Sequence, residues 1–169
     1  PFSLFREFLL WILEGEKKFS IIGNMNAITY KEVFPLIMEN KIWLGVSSGA
    51  KTYSKPDGTE HKMGNTCWFV NLEHGRRHEP LSLMTMKDNL RFNKTIKEVG
   101  YKKYDNYEAI EVPKTVAIPS DYKGVMGVPI SFLDKYNPDQ FEIIGSDAYV
   151  DTPPTKKYKN KFRVKDGER

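Results

Sequence analysis

The chain has 169 residues, 40% of them hydrophobic and 13% aromatic. That is enough apolar surface to bury a core, which excludes a wholly disordered chain. A single cysteine, Cys67, excludes an internal disulfide framework, and the longest apolar run, Phe8 to Leu13, is far shorter than the ~20 residues of a membrane span. These features predict a soluble cytoplasmic protein with no membrane partner. The net charge is +4, and all of it lies in residues 151–169, which hold seven basic and three acidic side chains. A basic tail of this kind favours an anionic partner such as nucleic acid; a solvated, frayed terminus is the other reading.

The chain opens on Pro1 and enters a dense apolar stretch at once. This predicts a start inside a larger folded unit, because natural termini are usually polar and loose. Leu4, Phe8, Trp11 and Ile12 recur at helical spacing, with Phe5, Leu9 and Leu13 widening the stripe. The pattern predicts a mostly buried helix over residues 3–14, with Ser3 as N-cap and Gly15 as stop. Phe19 to Gly23 reads as a short buried strand, with Asn24-Met25-Asn26 as the loop after it. Thr29-Tyr30-Lys31-Glu32 is a capping box that opens a helix to about Glu39. Pro35, inside that helix, predicts a kink or a late start, and Asn40 can close it. Ile42 to Val46 is the next strand. Helix, strand, helix and strand with short links imply parallel strands joined by crossover helices, hence an α/β sheet covered on both faces.

Beyond Val46 the pattern changes. Residues 47–64 read as a long polar loop with a turn at Pro56-Asp57-Gly58. Thr66 to Leu72 and Leu81 to Met86 read as strands, and Glu73 to Glu79 between them as a hairpin tip carrying Arg76 and Arg77. Residues 88–108 are polar, basic and tyrosine-bearing. Residues 109–133 alternate short apolar pieces with Pro and Gly. Phe132 to Tyr136 reads as one helical turn and Phe141 to Gly145 as a last strand.

Short motifs carry little. His74 and His78 are four apart, but they flank a hairpin tip rather than a helix face, so no metal site is expected. There is no Gly-x-Ser-x-Gly elbow, no phosphate loop and no Gly-x-Gly-x-x-Gly. Longer strings say more. Pro1-Phe-Ser-Leu-Phe-Arg-Glu-Phe, Lys18-Phe-Ser-Ile-Ile-Gly-Asn-Met-Asn-Ala-Ile-Thr-Tyr-Lys-Glu-Val-Phe, Lys41-Ile-Trp-Leu-Gly, Tyr104-Asp-Asn-Tyr-Glu-Ala-Ile-Glu-Val and residues 121–145 resemble the EcoRI-type adenine-specific DNA methyltransferases.

That resemblance implies a fold and a chemistry. The fold is the C-terminal half of a doubly wound, Rossmann-like α/β sheet of an S-adenosylmethionine-dependent methyltransferase, followed by a mixed α+β target-recognition segment. The divisions expected are residues 1–86 for the catalytic half, 87–150 for target recognition and 151–169 for the basic tail. Enzymes of this class carry an Asn/Asp-Pro-Pro-aromatic tetrapeptide. Pro1 would be its second proline and Phe2 its aromatic, stacking on an adenine swung out of the duplex. The Asn or Asp, the first proline and the glycine-rich loop that holds S-adenosylmethionine are not among the 169 residues, so this stretch alone is expected to be catalytically silent.

Other site residues follow from position. Asn24 and Asn26 follow a strand, where ligands gather on such sheets, and either line the base pocket or cap a helix. Arg76, Arg77, Lys102 and Lys103 fit contacts to DNA phosphates, or a solvated basic face. The resemblance places the protein in a restriction-modification setting with DNA as partner. A non-catalytic DNA-binding or specificity module, a degenerate remnant, or an RNA or protein methyltransferase on the same fold stand as alternatives.

Overall fold

The computed structural model describes residues 2–105, 107–146 and 162–166, with the backbone alone at Phe2, Phe162, Arg163 and Asp166. Contacts divide the chain into two compact units, Pro1–Arg76 and Arg77–Arg169.

In the first unit a 3-10 turn, Phe2–Leu4, leads into helix α1, Phe5–Glu14. Gly15 closes the helix as expected, but Leu4 rather than Ser3 occupies the N-cap, with no side-chain cap. α1 is also less buried than its stripe predicts. Phe5 and Leu9 are in the core, while Leu4 and Trp11 are 59% and 67% exposed. The reason is geometric: residues four apart line one side of a helix, and one sheet face covers only that side.

Strand β1, Ser20–Asn24, ends in a second 3-10 turn, Met25–Thr29, and helix α2 spans Phe34–Met38. The capping box does not open the helix, whose N-cap is Val33. The Thr29 hydroxyl donates instead to the Asn26 carbonyl at 2.8 Å. The helix starts late, with Pro35 in its first turn, where the missing N–H costs nothing. Asn40 follows the helix at φ 53°, a left-handed residue of the kind that ends helices.

Strands β2, Trp43–Ser54, and β3, Glu60–Val70, correct two expectations. Residues 47–64 are not a loop but most of a long hairpin. Its tip is the predicted turn: Gly58 N–H donates to the Lys55 carbonyl at 2.9 Å, and Lys55 N–H to the Thr59 carbonyl at 2.8 Å. Asp57 accepts from both the amide and the hydroxyl of Thr59, which holds its carboxyl below the ordinary value. The sheet is also not a row of parallel neighbours. Its order is β1-β3-β2, and both ladders are antiparallel. β1 and β2 do run in the same direction, joined through α2, but β3 returns from the hairpin and inserts between them. Bulges in the β2–β3 ladder between Leu44 and Ser48, and between Gly49 and Lys51, break the alternation that a sequence reading depends on.

The chain passes into the second unit within a 3-10 turn, Gly75–His78, at the segment read as a hairpin tip. Leu81 to Met86 is not a strand. Both backbone groups of Leu81 are taken by one side chain: its N–H donates to Gln140 Oε1 at 2.7 Å, and Gln140 Nε2 donates to its carbonyl at 3.2 Å. A side-chain amide thus stands where a neighbouring strand would be. Thr85 then caps helix α3, Met86–Phe92, and Asn93 caps helix α4, Lys94–Val99, accepting from Thr95 and Ile96 N–H. Thr85-x-x-Asp88 is the local signal that reveals α3 in the sequence.

Strands β4, Lys102–Lys103, β5, Ala109–Glu111, β6, Val125–Val128, β7, Phe141–Ser146, and β8, Phe162–Asp166, form a mixed sheet in the order β4-β5-β6-β8-β7. Its β5–β6 ladder is parallel and the others antiparallel. The predicted turn near Phe132 is a 3-10 segment, Ile130–Lys135, packed by Phe132 against Phe141. β8 lies within the stretch read as a basic tail. It sits between β6 and β7, with Val164 1% exposed, so a frayed terminus does not describe residues 162–166. The rest of that tail lies outside the described residues. Among the described residues, no helix is long and apolar enough to cross a membrane.

Candidate functional site

The polar groups of the first unit converge at the C-terminal end of β1. Asn24 is its last residue and pairs across the ladder with Thr66. Asn24 Oδ1 accepts from the Asn26 N–H at 2.9 Å, capping the turn that follows. This leaves the two N–H donors of its amide for other partners. Asn26 Oδ1 accepts from Asn65 Nδ2 at 3.0 Å, and the buried Thr66 hydroxyl donates to the Gly49 carbonyl at 2.8 Å. Asn26 and Asn65 are exposed, while Ala27 and Ile28 beneath the turn are fully buried and pin it. The sequence reading missed Asn65 and Thr66, because only the β1–β3 pairing brings them to Asn24 and Asn26.

The start of α1 is fixed to the same strand. The Phe5 ring lies 4.7 Å from that of Phe69, and both rings cover Gly23, the residue before Asn24. A Cβ on Gly23 would come 2.7 Å from Phe5 Cε2, so only glycine permits this approach. Arg6 lies 5.3 Å above the Tyr30 ring and 3.8 Å from Glu32, tying α1 to the linker after β1. Phe2 begins the turn immediately before this anchor, and its backbone alone is described. Pro1 lies outside the described residues.

The predicted DNA contacts fall in different surroundings. Arg76 is exposed and donates to the Val46 carbonyl. Arg77 is buried, with 7% of its surface exposed. Lys102 and Lys103 are both exposed on β4, where Lys102 faces Glu111 across the ladder. His74 Nε2 lies 3.1 Å from the Leu44 carbonyl, and His78 Nδ1 lies 2.8 Å from Asp139. Among the described residues, no three His, Cys, Asp or Glu side chains converge as metal ligands do. The residues at the β1 end also do not fit a methyl-donor site. The turn after β1 has its Asn26 amide taken by Asn24, rather than open amides in a glycine-rich loop.

Comparison with known proteins gives the chain a family. The profile described as adenine-specific methyltransferase EcoRI matches residues 1–169, and the chain belongs to that family. It is 48% identical over 161 residues to the Type II methyltransferase M.EcoRI of Escherichia coli, covering 85% of this chain and 47% of the relative. It is 36% identical over 162 residues to the Type II methyltransferase M.MpnI of Mycoplasma pneumoniae, and 34% identical over 165 residues to M.MgeORF184P of Mycoplasma genitalium. Each of these covers 85% of this chain and 49% of the relative. The chain thus spans about half the length of the curated relatives it matches. No solved structure matches it.

Proposed function

We propose that this chain is part of a DNA N6-adenine methyltransferase acting within a restriction-modification system, with S-adenosylmethionine as donor. The observation that carries this reading is the family match over residues 1–169. The β1–α2–β2 crossover, with β3 returning between its strands, supports reading the first unit as the C-terminal half of a doubly wound sheet. Residues 87–150 are then the target-recognition segment, and the basic residues of 151–169 add attraction to phosphates.

The chemistry assigns roles to this chain's residues. The N6 amine of adenine is a poor nucleophile, because its lone pair is delocalised into the ring. A site that accepts both amine hydrogens and holds the ring flat turns that pair toward an incoming methyl group without a covalent intermediate. The adenine must leave the duplex to reach such a site. Phe2, behind Pro1, offers the ring face, and stacking of this kind is worth ~1–3 kcal/mol. The Asn24 amide N–H groups suit the acceptor ring nitrogens of adenine, and the backbone N–H of Asn26 holds Asn24 in place by donating to its Oδ1. Positioning is the protein's principal contribution.

The test is transfer of a labelled methyl group from S-adenosylmethionine to duplex DNA by the enzyme that contains this chain, with the modified base identified. N6-methyladenine is the expected product. Asn24→Ala and Asn26→Ala are expected to lower turnover by roughly tenfold or more, beyond the ~1 kcal/mol of stability that loss of the Asn24 cap or of the Asn26–Asn65 hydrogen bond accounts for. Methylcytosine as the product, or no methylated base, would overturn the proposal. Turnover that falls only as far as the folded fraction falls would leave Asn24 as a cap and Asn26 as the partner of Asn65.

A further inference from the structure

The second unit contains a cleft that neither the family nor the β1 site accounts for. The turn from β4 to β5 folds back on itself: Tyr104 N–H donates to the Ala109 carbonyl at 3.0 Å, and Ala109 N–H to the Tyr107 carbonyl at 2.8 Å. Lys103, Tyr104, Asp105, Tyr107 and Glu108 of this turn, with Tyr122, line a cleft of about 350 Å³. This is at the lower end of the volumes of small-ligand pockets.

Backbone glycines seat its rings. The hydroxyl end of Tyr104, a buried residue, lies over Gly127, where a Cβ would come 2.8 Å from Cζ. Tyr122 lies over Gly124 in the same way, at 2.6 Å from Cζ. Burial pushes the Tyr122 phenol above its ordinary value, and the nearby Glu108 charge adds to this, so Tyr122 is a neutral donor beside a carboxylate. Lys103, Asp105 and Glu108 are exposed, and Lys102 is exposed next to them.

We propose that this cleft reads one base of the DNA target at its major-groove edge, where cytosine and adenine present an exocyclic amine and guanine and thymine do not, with tyrosine packed against that edge and the amine donating to Glu108. The inference rests on the methyltransferase reading above. Tyr107 and Tyr122, both half-buried, offer apolar surface against which any base edge packs, so they supply affinity without choice, while Tyr104 is buried in the wall of the cleft. The carboxylate supplies the choice. In the major groove it accepts from the N4 amine of cytosine or the N6 amine of adenine and repels O4 of thymine and O6 and N7 of guanine. A carboxylate facing DNA is otherwise unfavourable next to phosphates. Lys102 and Lys103, one strand step away, offset that repulsion and hold the backbone.

The test is selection of bound duplexes from a library with a randomised centre, using the enzyme that contains this chain, compared among Glu108→Gln, Tyr107→Ala, Tyr107→Phe and Lys103→Gln. Glu108→Gln is expected to reduce the preference for cytosine or adenine at one position by roughly tenfold and to leave the other positions unchanged. The position affected identifies which base it is. Tyr107→Ala is expected to weaken binding of all sequences severalfold, and Tyr107→Phe to restore it. Lys103→Gln weakens all sequences alike and lowers the slope of log K against log salt by about one. Glu108 is exposed, so its replacement keeps the fold and the result does not depend on Tyr107. An unchanged recovered sequence with Glu108→Gln would overturn the inference, while N6-methyladenine formation by the unmodified enzyme would leave the methyltransferase reading standing. Absence of any DNA methylation by the unmodified enzyme would bring down that reading, and this inference with it.

Discussion

Replacing Gly23 by alanine probes the packing that holds α1 against the end of β1. The added Cβ would lie 2.7 Å from Phe5 Cε2 and 2.9 Å from Phe69 Cε2. To reach ordinary carbon–carbon contact, the Phe5 ring has to retreat by about 0.7 Å. Neither ring has room to spare, since Phe69 is 0% and Phe5 4% exposed, and each already packs against the other. Overpacking of this kind costs roughly 1–3 kcal/mol, and the lower backbone entropy of alanine in a strand returns about 0.5–1 kcal/mol of it. A net loss of about 1–2 kcal/mol corresponds, at a slope near 2 kcal/mol per molar urea, to a midpoint lower by roughly 0.5–1 M. Urea denaturation followed by tryptophan fluorescence measures it. Repeating the substitution in a Phe5→Leu background removes the ring that the methyl group strikes, so the penalty shrinks and the two changes couple by roughly 1 kcal/mol. An unchanged midpoint for Gly23→Ala, or strict additivity with Phe5→Leu, would refute the reasoning. Because Phe2 leads directly into the same helix, methyl transfer is expected to fall in step with the displacement of α1.

Two further predictions come from the second unit and the basic residues. The Tyr101 hydroxyl donates to the Ala117 carbonyl at 2.7 Å, and burial, reinforced by the Asp121 charge, pushes its pKa from 10.0 up to about 12. The unfolded chain ionises first, so the stability this phenol contributes is complete below pH 10 and is lost as pH rises toward 12. Tyr101→Phe is expected to cost roughly 0.5–1.5 kcal/mol at neutral pH and to flatten that alkaline decline; an equally steep decline in the variant would show that other groups cause it. Among the basic residues, Arg76→Ala, Lys102→Ala and Lys103→Ala are each expected to lower the salt slope of DNA binding by about one. Arg77→Ala is expected instead to lower the urea midpoint, because Arg77 is buried. A slope change from Arg77 alone would reverse the assignment.

Local pattern was enough for the elements whose signals are local. Helical spacing located α1, Pro35 delayed α2, Pro56-Asp57-Gly58 placed a turn, and the apolar runs at Phe19 and Phe141 placed β1 and β7. The long strings around Pro1, Lys18 and Asp121 carried the family, and the profile match over residues 1–169 agrees with them. Asn24 and Asn26 were legible as candidates by their place after a strand. Their partner Asn65 was not, since it meets Asn26 from 39 positions away. The same limit explains the insertion of β3 between β1 and β2, the Gln140 amide that replaces a strand beside Leu81, and β8 drawn into a sheet from a basic stretch. Side-chain periodicity reports which face of an element is apolar. Which backbone groups bond one another is decided by register between distant segments, and only tertiary packing selects that register. Gly124 and Gly127 make the point at the smallest scale: their role is to leave space for Tyr122 and Tyr104, and space exists only once the chain has folded.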